Sequence, residues 1–240
     1  MLKGGLALEL RLGNRARTTK DMDLLAFCKG NELHGLLVQS GKIDLQNFFA
    51  FQVAKPVSES FDTIGGARFD ILALLDGRKF EQFHIDVGIS DQLLEPREYL
   101  NMPAWLHFAD IEPTTVPCYS ISQQIAEKFH ALTRKYASGE TSRVKDLIDI
   151  LLLAGIAPIS STKLRKTIRS TFEHRNTHAL LAAIQPMSST YLRTYSNIAS
   201  QVGLKFKNIE EANQALDAFL PPILLAHDEK TWNPKKWKWE

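Results

Sequence analysis

Cysteine is scarce in this chain of 240 residues, which contains only Cys28 and Cys118. Two cysteines so far apart cannot form the framework of a small disulfide-rich protein, and they lack the paired spacing of a zinc site. We expect both to be reduced. Long apolar runs are also missing, because none approaches the roughly 18 residues that a membrane-spanning helix needs.

The amino terminus, MLKGGLALEL, lacks the features of a secretory signal peptide. It has one lysine, a glycine pair and an early glutamate where a signal peptide has a basic segment followed by a continuous apolar one. Together with the low cysteine content, this predicts a cytoplasmic protein that does not associate with a membrane.

Neither sign of charge dominates the chain as a whole, whose formal net charge is +2, but its two halves differ. Residues 1–120 contain 12 Lys and Arg against 16 Asp and Glu, whereas residues 121–240 contain 17 against 11. An acidic half that can hold a metal ion beside a basic half that can hold a polyanion suits an enzyme of nucleotides or nucleic acids. A simple drift of surface charge along the chain is the alternative interpretation.

Hydrophobic periodicity predicts strands and short helices before residue 118 and helices after it. In the first half it predicts a helix from residue 6 that ends near Gly13, a strand over 20–27, and a β-hairpin whose strands flank Asp76-Gly77. Residues 44–53 fit a helix or a strand equally well. In the second half, apolar stripes predict helices over 121–132, 144–152, 164–172 and 209–219. The prolines of segment 112–120 mark the boundary, so we predict domains at 1–118 and 119–240.

Two features near the amino terminus point to a nucleotide site. Gly4 and Gly5 open the first helix, where bare backbone N–H groups can face a phosphate. Asp21 and Asp23 are two residues apart on a strand and therefore point to the same face. At about 4 Å and an effective dielectric constant of about 20, two such charges repel by roughly 4 kcal/mol, so a divalent cation between them is favourable. The alternatives are an ordinary helix start, a chance pair on a surface strand, or the metal motif of a glycosyltransferase.

Later residues extend this pattern. Asp86 has the opposite strand parity from the apolar Ile85 and Val87, so it shares its face with His84, which is either a nucleotide contact or a polar strand neighbour. Arg15 and Arg17 precede the Asp21 strand and are either phosphate ligands or ordinary loop arginines. His130, His174 and His178 have no partners with metal-ligand spacing, and we expect them to be structural or solvated. The tryptophans and lysines of the tail NPKKWKWE either stack on bases or pack on the domain.

Four segments together resemble the AbiEii/AbiGii toxin family of nucleotidyltransferases, within the polymerase-β-like superfamily. They are KGGLALELRLGNRARTTKDMDL, FHIDVGISD, ISQQIAEKFHALTRK and SRVKDLIDILLL, which span residues 3–155. The resemblance implies an α/β fold, with a nucleotidyltransferase core of mixed sheet flanked by helices, followed by an α-helical C-terminal region that completes the active-site cleft. Members of the family usually have a helical segment and a complete strand before the glycine pair, which this sequence does not show.

The resemblance also implies roles for individual residues. Asp21, Asp23 and Asp86 correspond to the carboxylates that hold Mg²⁺ or Mn²⁺, and Gly4 and Gly5 to the backbone that binds the triphosphate of an NTP. Lys128 corresponds to a triphosphate clamp. Asp146 corresponds to a catalytic aspartate that either orients Lys128 or accepts a proton. We expect Asp149, one turn further on, to be an exposed or helix-pairing residue.

The implied function is Mg²⁺-dependent transfer of an NMP from an NTP to an acceptor hydroxyl, with tRNA or another RNA as the expected acceptor. The implied biological role is the toxin of a toxin–antitoxin or abortive-infection system, with a cognate antitoxin protein as partner. Two alternatives stay open. One is a nucleotidyltransferase that modifies a small molecule, as enzymes of antibiotic resistance do, and the other is a non-catalytic protein that binds a nucleotide or an antitoxin. Clustered carboxylates argue against the second, since they are costly without a cation.

Overall fold

Backbone contacts divide the chain into two compact units in the computed structural model. The first comprises Met1–Arg11, Thr18–Gln92 and Glu98–Cys118, and the second comprises Leu12–Arg17, Leu93–Arg97 and Tyr119–Glu240. The structure describes residues 1–19, 21–28, 30–45, 47–56, 66–89, 93–104, 108, 110, 112–134, 143–180, 186–187, 191–225 and 228–240.

A mixed sheet of seven strands forms the first unit within these ranges. The strands are β1 (Leu2–Lys3), β2 (Asp21–Leu25), β3 (Phe49–Val53), β4 (Gly66–Leu75), β5 (Arg78–Gly88), β6 (Glu98–Asn101) and β7 (Thr115–Cys118). Their order across the sheet is β3-β4-β5-β2-β1-β7-β6. The β2–β5 and β1–β7 pairs are parallel, and the other neighbours are antiparallel.

The predicted hairpin is confirmed as β4 and β5. Its turn holds Asp76 and Gly77 at φ values of 48° and 74°, the left-handed backbone that a two-residue hairpin turn requires. The ambiguous segment 44–53 contains a strand, β3, which pairs with β4 at the edge of the sheet. Immediately before the glycine pair, Leu2 and Lys3 form the two-residue strand β1.

One face of this sheet is apolar and is covered by helices. Phe69, Ile71, Ile85 and Val87 form a buried cluster with Leu33 of helix α2 (Gly30–Gly41), which the hydrophobic pattern did not predict. Helix α1 (Gly4–Leu12) adds a second cluster around Leu2, Ala7 and Cys118. Cys28 and Cys118 are both free thiols, as predicted. Because strand side chains alternate, the residues between these apolar positions lie on the opposite face.

Helices dominate the second unit. They are α3 (Ile121–Thr133), α4 (Val144–Ala154), α5 (Ser161–Arg175), α6 (Leu192–Gln201), α7 (Ile209–Phe219) and α8 (Pro221–Leu225). The four helices predicted from apolar stripes are confirmed as α3, α4, α5 and α7. Ser120 caps α3 by accepting a hydrogen bond from the backbone N–H of Gln123, and Asn208 caps α7 in the same way through Glu211.

The tryptophan-rich tail packs on this helical unit. It contributes β9 (Thr231–Asn233) and β10 (Lys238–Trp239) to a small sheet with β8 (Ile159–Ser160). The indole N–H groups of Trp232, Trp237 and Trp239 donate to backbone carbonyls of helical residues at 2.8, 3.1 and 2.8 Å. Of the two interpretations of the tail, the structure shows packing on the domain, and contact with bases stays a prediction. Among the described helices, none has the length and apolar composition needed to cross a lipid bilayer.

Candidate active site

Four charged residues form a continuous row across the centre of the large sheet. Lys3 is the register partner of Asp23, Asp23 of Asp86, and Asp86 of Arg68. Register partners on adjacent strands project to the same face, so this charged row places two carboxylates side by side between two cations. Asp21 begins the next row on the same face, opposite His84. The structure therefore brings the three predicted metal ligands onto adjacent strands.

Arg68 forms an ion pair with one of these carboxylates. Its Nε and Nη2 donate to the two oxygens of Asp86 at 2.7 and 2.6 Å, the bidentate geometry of a strong guanidinium–carboxylate pair. The hydrogen bond to Asp86 and its negative charge raise the pKa of Arg68 above its ordinary value, and the charges of Asp21 and Asp23 add to the effect. Arg68 thus supplies positive charge where the sequence predicts a divalent cation.

The glycine pair lies against the Asp21 strand. A Cβ atom built on Gly4, which has φ of +62°, would overlap the carboxylate of Asp23, and a Cβ on Gly5 would lie 2.9 Å from the hydroxyl oxygen of Thr19. A larger residue at position 4 would be strained by its backbone as well as by this overlap. Gly4 is therefore needed for the close approach of α1 and β2, and Gly5 for that of α1 and Thr19, a requirement that the sequence alone does not reveal. Their contact with a triphosphate stays a prediction.

The second row also contains a close side-chain pair. The Nδ1 atom of His84 lies 2.6 Å from Oδ1 of Asp70, its register partner on β4. His84 is thus paired with a polar neighbour on the adjacent strand, and its contact with a nucleotide stays a prediction. Asp70 was missed, although its alternation with Phe69 and Ile71 on β4 places it on the same face as Asp86.

A second charged cluster lies in the helical unit. The Nζ atom of Lys128 is 3.2 Å from Oδ1 of Asp146 and 2.9 Å from Oδ2 of Asp149. Arg17 donates to both oxygens of Asp149 at 3.2 and 3.0 Å, and Arg143 lies 3.5 Å from Asp146. We call these five residues the Lys128 cluster. The spacing of α4 produces it, because residues three apart in a helix share a face.

Burial makes the Lys128 cluster energetically important. The side chain of Asp149 is 0% exposed and that of Lys128 is 18% exposed. Burial alone would lower the pKa of Lys128, but the charges of Asp149 and Asp146 outweigh it and raise that pKa, so the ammonium stays charged. The expectation that Asp149 is exposed or pairs along its helix is wrong: two cations from other segments neutralise it, which allows full burial. Arg17, considered as a phosphate ligand, is one of them.

His130 and His178 are structural, one of the two roles expected for them. His130 is hydrogen-bonded to Thr177 at 2.9 Å, and its ring lies 4.7 Å from that of His178. Burial lowers the pKa of His130 to about 4, with smaller contributions from His178, Arg175 and Arg134, and it also lowers that of His178.

Metal ligands are not preassembled. Among the described residues, no three His, Cys, Asp or Glu side chains are close enough together to hold a metal ion. The chemistry of the donor set still fits a hard divalent cation, because the three aspartates offer oxygen ligands and no nitrogen or sulfur. Both carboxylate oxygens of Asp86 instead accept hydrogen bonds from Arg68, so they are not directed at a shared metal position with the other aspartates.

Comparisons with known proteins identify proteins of similar structure. Similar solved structures include MenT4, a nucleotidyltransferase toxin from Mycobacterium tuberculosis H37Rv, at a TM-score of 0.55 and 16% identity, over 99% of this chain and 78% of that one. At this identity the likeness shows the α/β fold alone. No curated protein matches the chain.

The family model described as the nucleotidyl transferase AbiEii toxin of a type IV toxin–antitoxin system matches residues 1–236. The chain therefore belongs to the AbiEii family of nucleotidyltransferase toxins, and the resemblance inferred from its four segments is confirmed. As a member of this family it is a nucleotidyltransferase that uses an NTP.

Proposed function

We propose that this enzyme transfers an NMP from an NTP to a hydroxyl group of an RNA, that it needs Mg²⁺ or Mn²⁺, and that it acts in the cytoplasm as the toxin partner of an antitoxin. The observation that carries the proposal is the charged row, in which Asp23 and Asp86 stand side by side on parallel strands with Asp21 on the same face. A divalent cation held there would neutralise the triphosphate and make the acceptor hydroxyl easier to deprotonate.

The chain's own residues would perform the remaining tasks. The N–H groups at the start of α1 would bind phosphate oxygens, helped by the positive end of the helix dipole. Lys128, which stays protonated in its cluster, would bind a triphosphate oxygen as a point charge, and Asp146 would hold the ammonium in place. Phosphoryl transfer consists mostly of positioning and charge stabilisation, which is what these groups supply.

RNA is favoured over a small molecule as the acceptor by the charge of the helical half. Lys166 and Arg169 lie three residues apart on the exposed face of α5, while Leu164 and Ile168 of the same helix are buried. Cations on a solvent-exposed face can contact phosphates without losing a protein partner.

Metal-dependent NTP binding tests the proposal directly. In Mg²⁺, an NTP at about 100 times its dissociation constant should stabilise the fold by about 2.7 kcal/mol. We expect at least one NTP to raise the melting temperature in Mg²⁺, and we expect no NTP to raise it in EDTA. A labelled NTP should then be transferred to RNA from a cell extract. Labelling of a small hydroxyl compound alone would establish the other acceptor class, and no thermal shift with any NTP would contradict the proposal.

Arg68 allows a separate test of the metal site. If the cation needs Asp86, it must displace the guanidinium, an exchange made feasible because an exposed ion pair contributes about 1 kcal/mol or less. We expect Arg68→Gln to bind Mn²⁺ about fivefold more tightly in the absence of nucleotide, measured by the spectroscopic signal of free Mn²⁺. The control is Arg78→Gln, the same change at an exposed position beside the hairpin turn. Equal or weaker binding in Arg68→Gln would show that Arg68 does not compete with the metal.

A further inference from the structure

A cavity of about 420 Å³ in the helical unit is lined by three cations and two aromatic rings. The cations are Arg15, Lys205 and Lys235, and the rings are Phe206 and Trp237. Its other walls are mainly apolar, and none of its described lining residues is acidic. We call it the cationic pocket. Its volume lies within the roughly 300–1,000 Å³ of small-molecule sites.

The three cations are exposed and available to an anion. Within the described part of the chain, none of them forms an ion pair, whereas the neighbouring Lys236 and Lys238 of the same tail pair with Glu240 at 2.7 and 3.3 Å. Positive charge gathered around an apolar cavity with no carboxylate in its walls attracts a group that is itself negative.

The aromatic rings favour an anion that carries a flat apolar part. Phe206 and Trp237 meet edge to face with centroids 4.9 Å apart. The ammonium of Lys205 lies 3.9 Å from the centroid of Trp237, so a flexible side chain occupies this ring face. Partial desolvation of the ammonium against these rings lowers the pKa of Lys205, and an anionic partner would offset that cost. A planar group could take the place of the ammonium on the ring and leave Lys205 to bind a phosphate.

We infer that the cationic pocket binds a nucleoside phosphate, with the base against Trp237 and the phosphate between Arg15, Lys205 and Lys235. Arginine and lysine are common phosphate ligands, and aromatic rings stack on any of the nucleic-acid bases. The occupant is a nucleotide of an RNA strand or a free nucleotide. If the occupant is a nucleotide of an RNA strand, the pocket would hold the acceptor, and that assignment rests on the proposed function. Binding of a nucleoside phosphate in the pocket depends on neither the metal nor the charged row.

Binding of a labelled single-stranded RNA of about ten nucleotides, followed by fluorescence anisotropy in EDTA, tests the inference. EDTA removes any contribution from a metal-dependent NTP site. We expect the double variant Arg15→Ala/Lys235→Ala to weaken binding about tenfold or more. The matched control is Lys236→Ala/Lys238→Ala, which removes the same charge from residues outside the pocket and should change the affinity by about twofold or less. Melting temperatures confirm that all variants are folded.

Competition with an unlabelled nucleoside monophosphate distinguishes the two sources. Displacement of the RNA by the monophosphate identifies a pocket for free nucleotides, and failure to displace it identifies a strand as the occupant. Equal weakening by both double variants would overturn the inference, because net charge alone would then explain binding. Failure of the wild type to bind either the RNA or a labelled nucleoside monophosphate would also overturn it. A third outcome separates the two proposals. If the pocket variant loses RNA binding but the wild-type enzyme transfers an NMP to no RNA, the proposed function is refuted and the pocket assignment stands.

Discussion

Asp23→Asn is expected to lower nucleotidyl transfer by at least about a thousandfold while the protein stays folded. Asp23 is next to both the glycine pair and the other strand carboxylate, since it lies against Gly4 and is the register partner of Asp86. Asparagine has nearly the same shape and keeps this packing, but it removes one of the negative charges that would hold the cation. Because clustered carboxylates repel, the variant should melt at the same temperature as the wild type or slightly higher in EDTA.

The matched control for this variant is Asp76→Asn, in the turn between β4 and β5. It makes the same chemical change, and asparagine tolerates the left-handed backbone of that position, where φ is 48°. Initial rates of transfer from a labelled NTP, with Mg²⁺ or Mn²⁺ varied, measure both proteins. A variant at position 23 that keeps more than about a tenth of the wild-type rate would show that the metal does not depend on this carboxylate.

The sequence allowed good predictions where the pattern is local. Strand alternation placed Asp86 on the face opposite Ile85, and the Asp76-Gly77 turn located the hairpin. Helical periodicity located α3, α4, α5 and α7. In each case the residues that determine the element are close together in the sequence, so their spacing is enough to identify the element. Helix α2 was missed because its apolar stripe, around Leu33 and Leu37, is short and is interrupted by Gly35, which weakens the helical signal.

Predictions of the site were limited by contacts between distant segments. Arg68 lies 18 residues from Asp86 along the chain and Arg17 lies 132 residues from Asp149, and only the fold brings each pair together. Asp149 illustrates the consequence. From its helix alone it is one more charged residue, and its burial depends on Arg17 and Lys128, which come from other segments. Strand parity could have identified Arg68 on the aspartate face, but not which carboxylate it binds.

Lys128→Ala is expected to raise the KM for NTP and to lower kcat, with kcat/KM reduced about a hundredfold, if the lysine binds the triphosphate in both the ground and the transition state. It should also cost about 2 kcal/mol of stability, because Asp149 loses one of its two charged partners while fully buried. Arg17 retains its bidentate bond to Asp149, which limits this loss. Activity is therefore measured at a temperature at which chemical denaturation shows the variant to be folded.

A second variant separates binding of the triphosphate from neutralisation of Asp149. In Lys128→Ala/Asp149→Asn the buried negative charge is removed together with its cation, so much of the lost stability should return. If Lys128 contacts the triphosphate, the double variant regains stability but not kcat/KM, because no ammonium is present to bind the substrate. If Lys128 only neutralises Asp149, kcat/KM recovers together with stability, and the lysine is a structural cation of the helical unit. Removing Arg143, which is more exposed and lies 3.5 Å from Asp146, should change stability by about 0.5 kcal/mol or less and serves as the control.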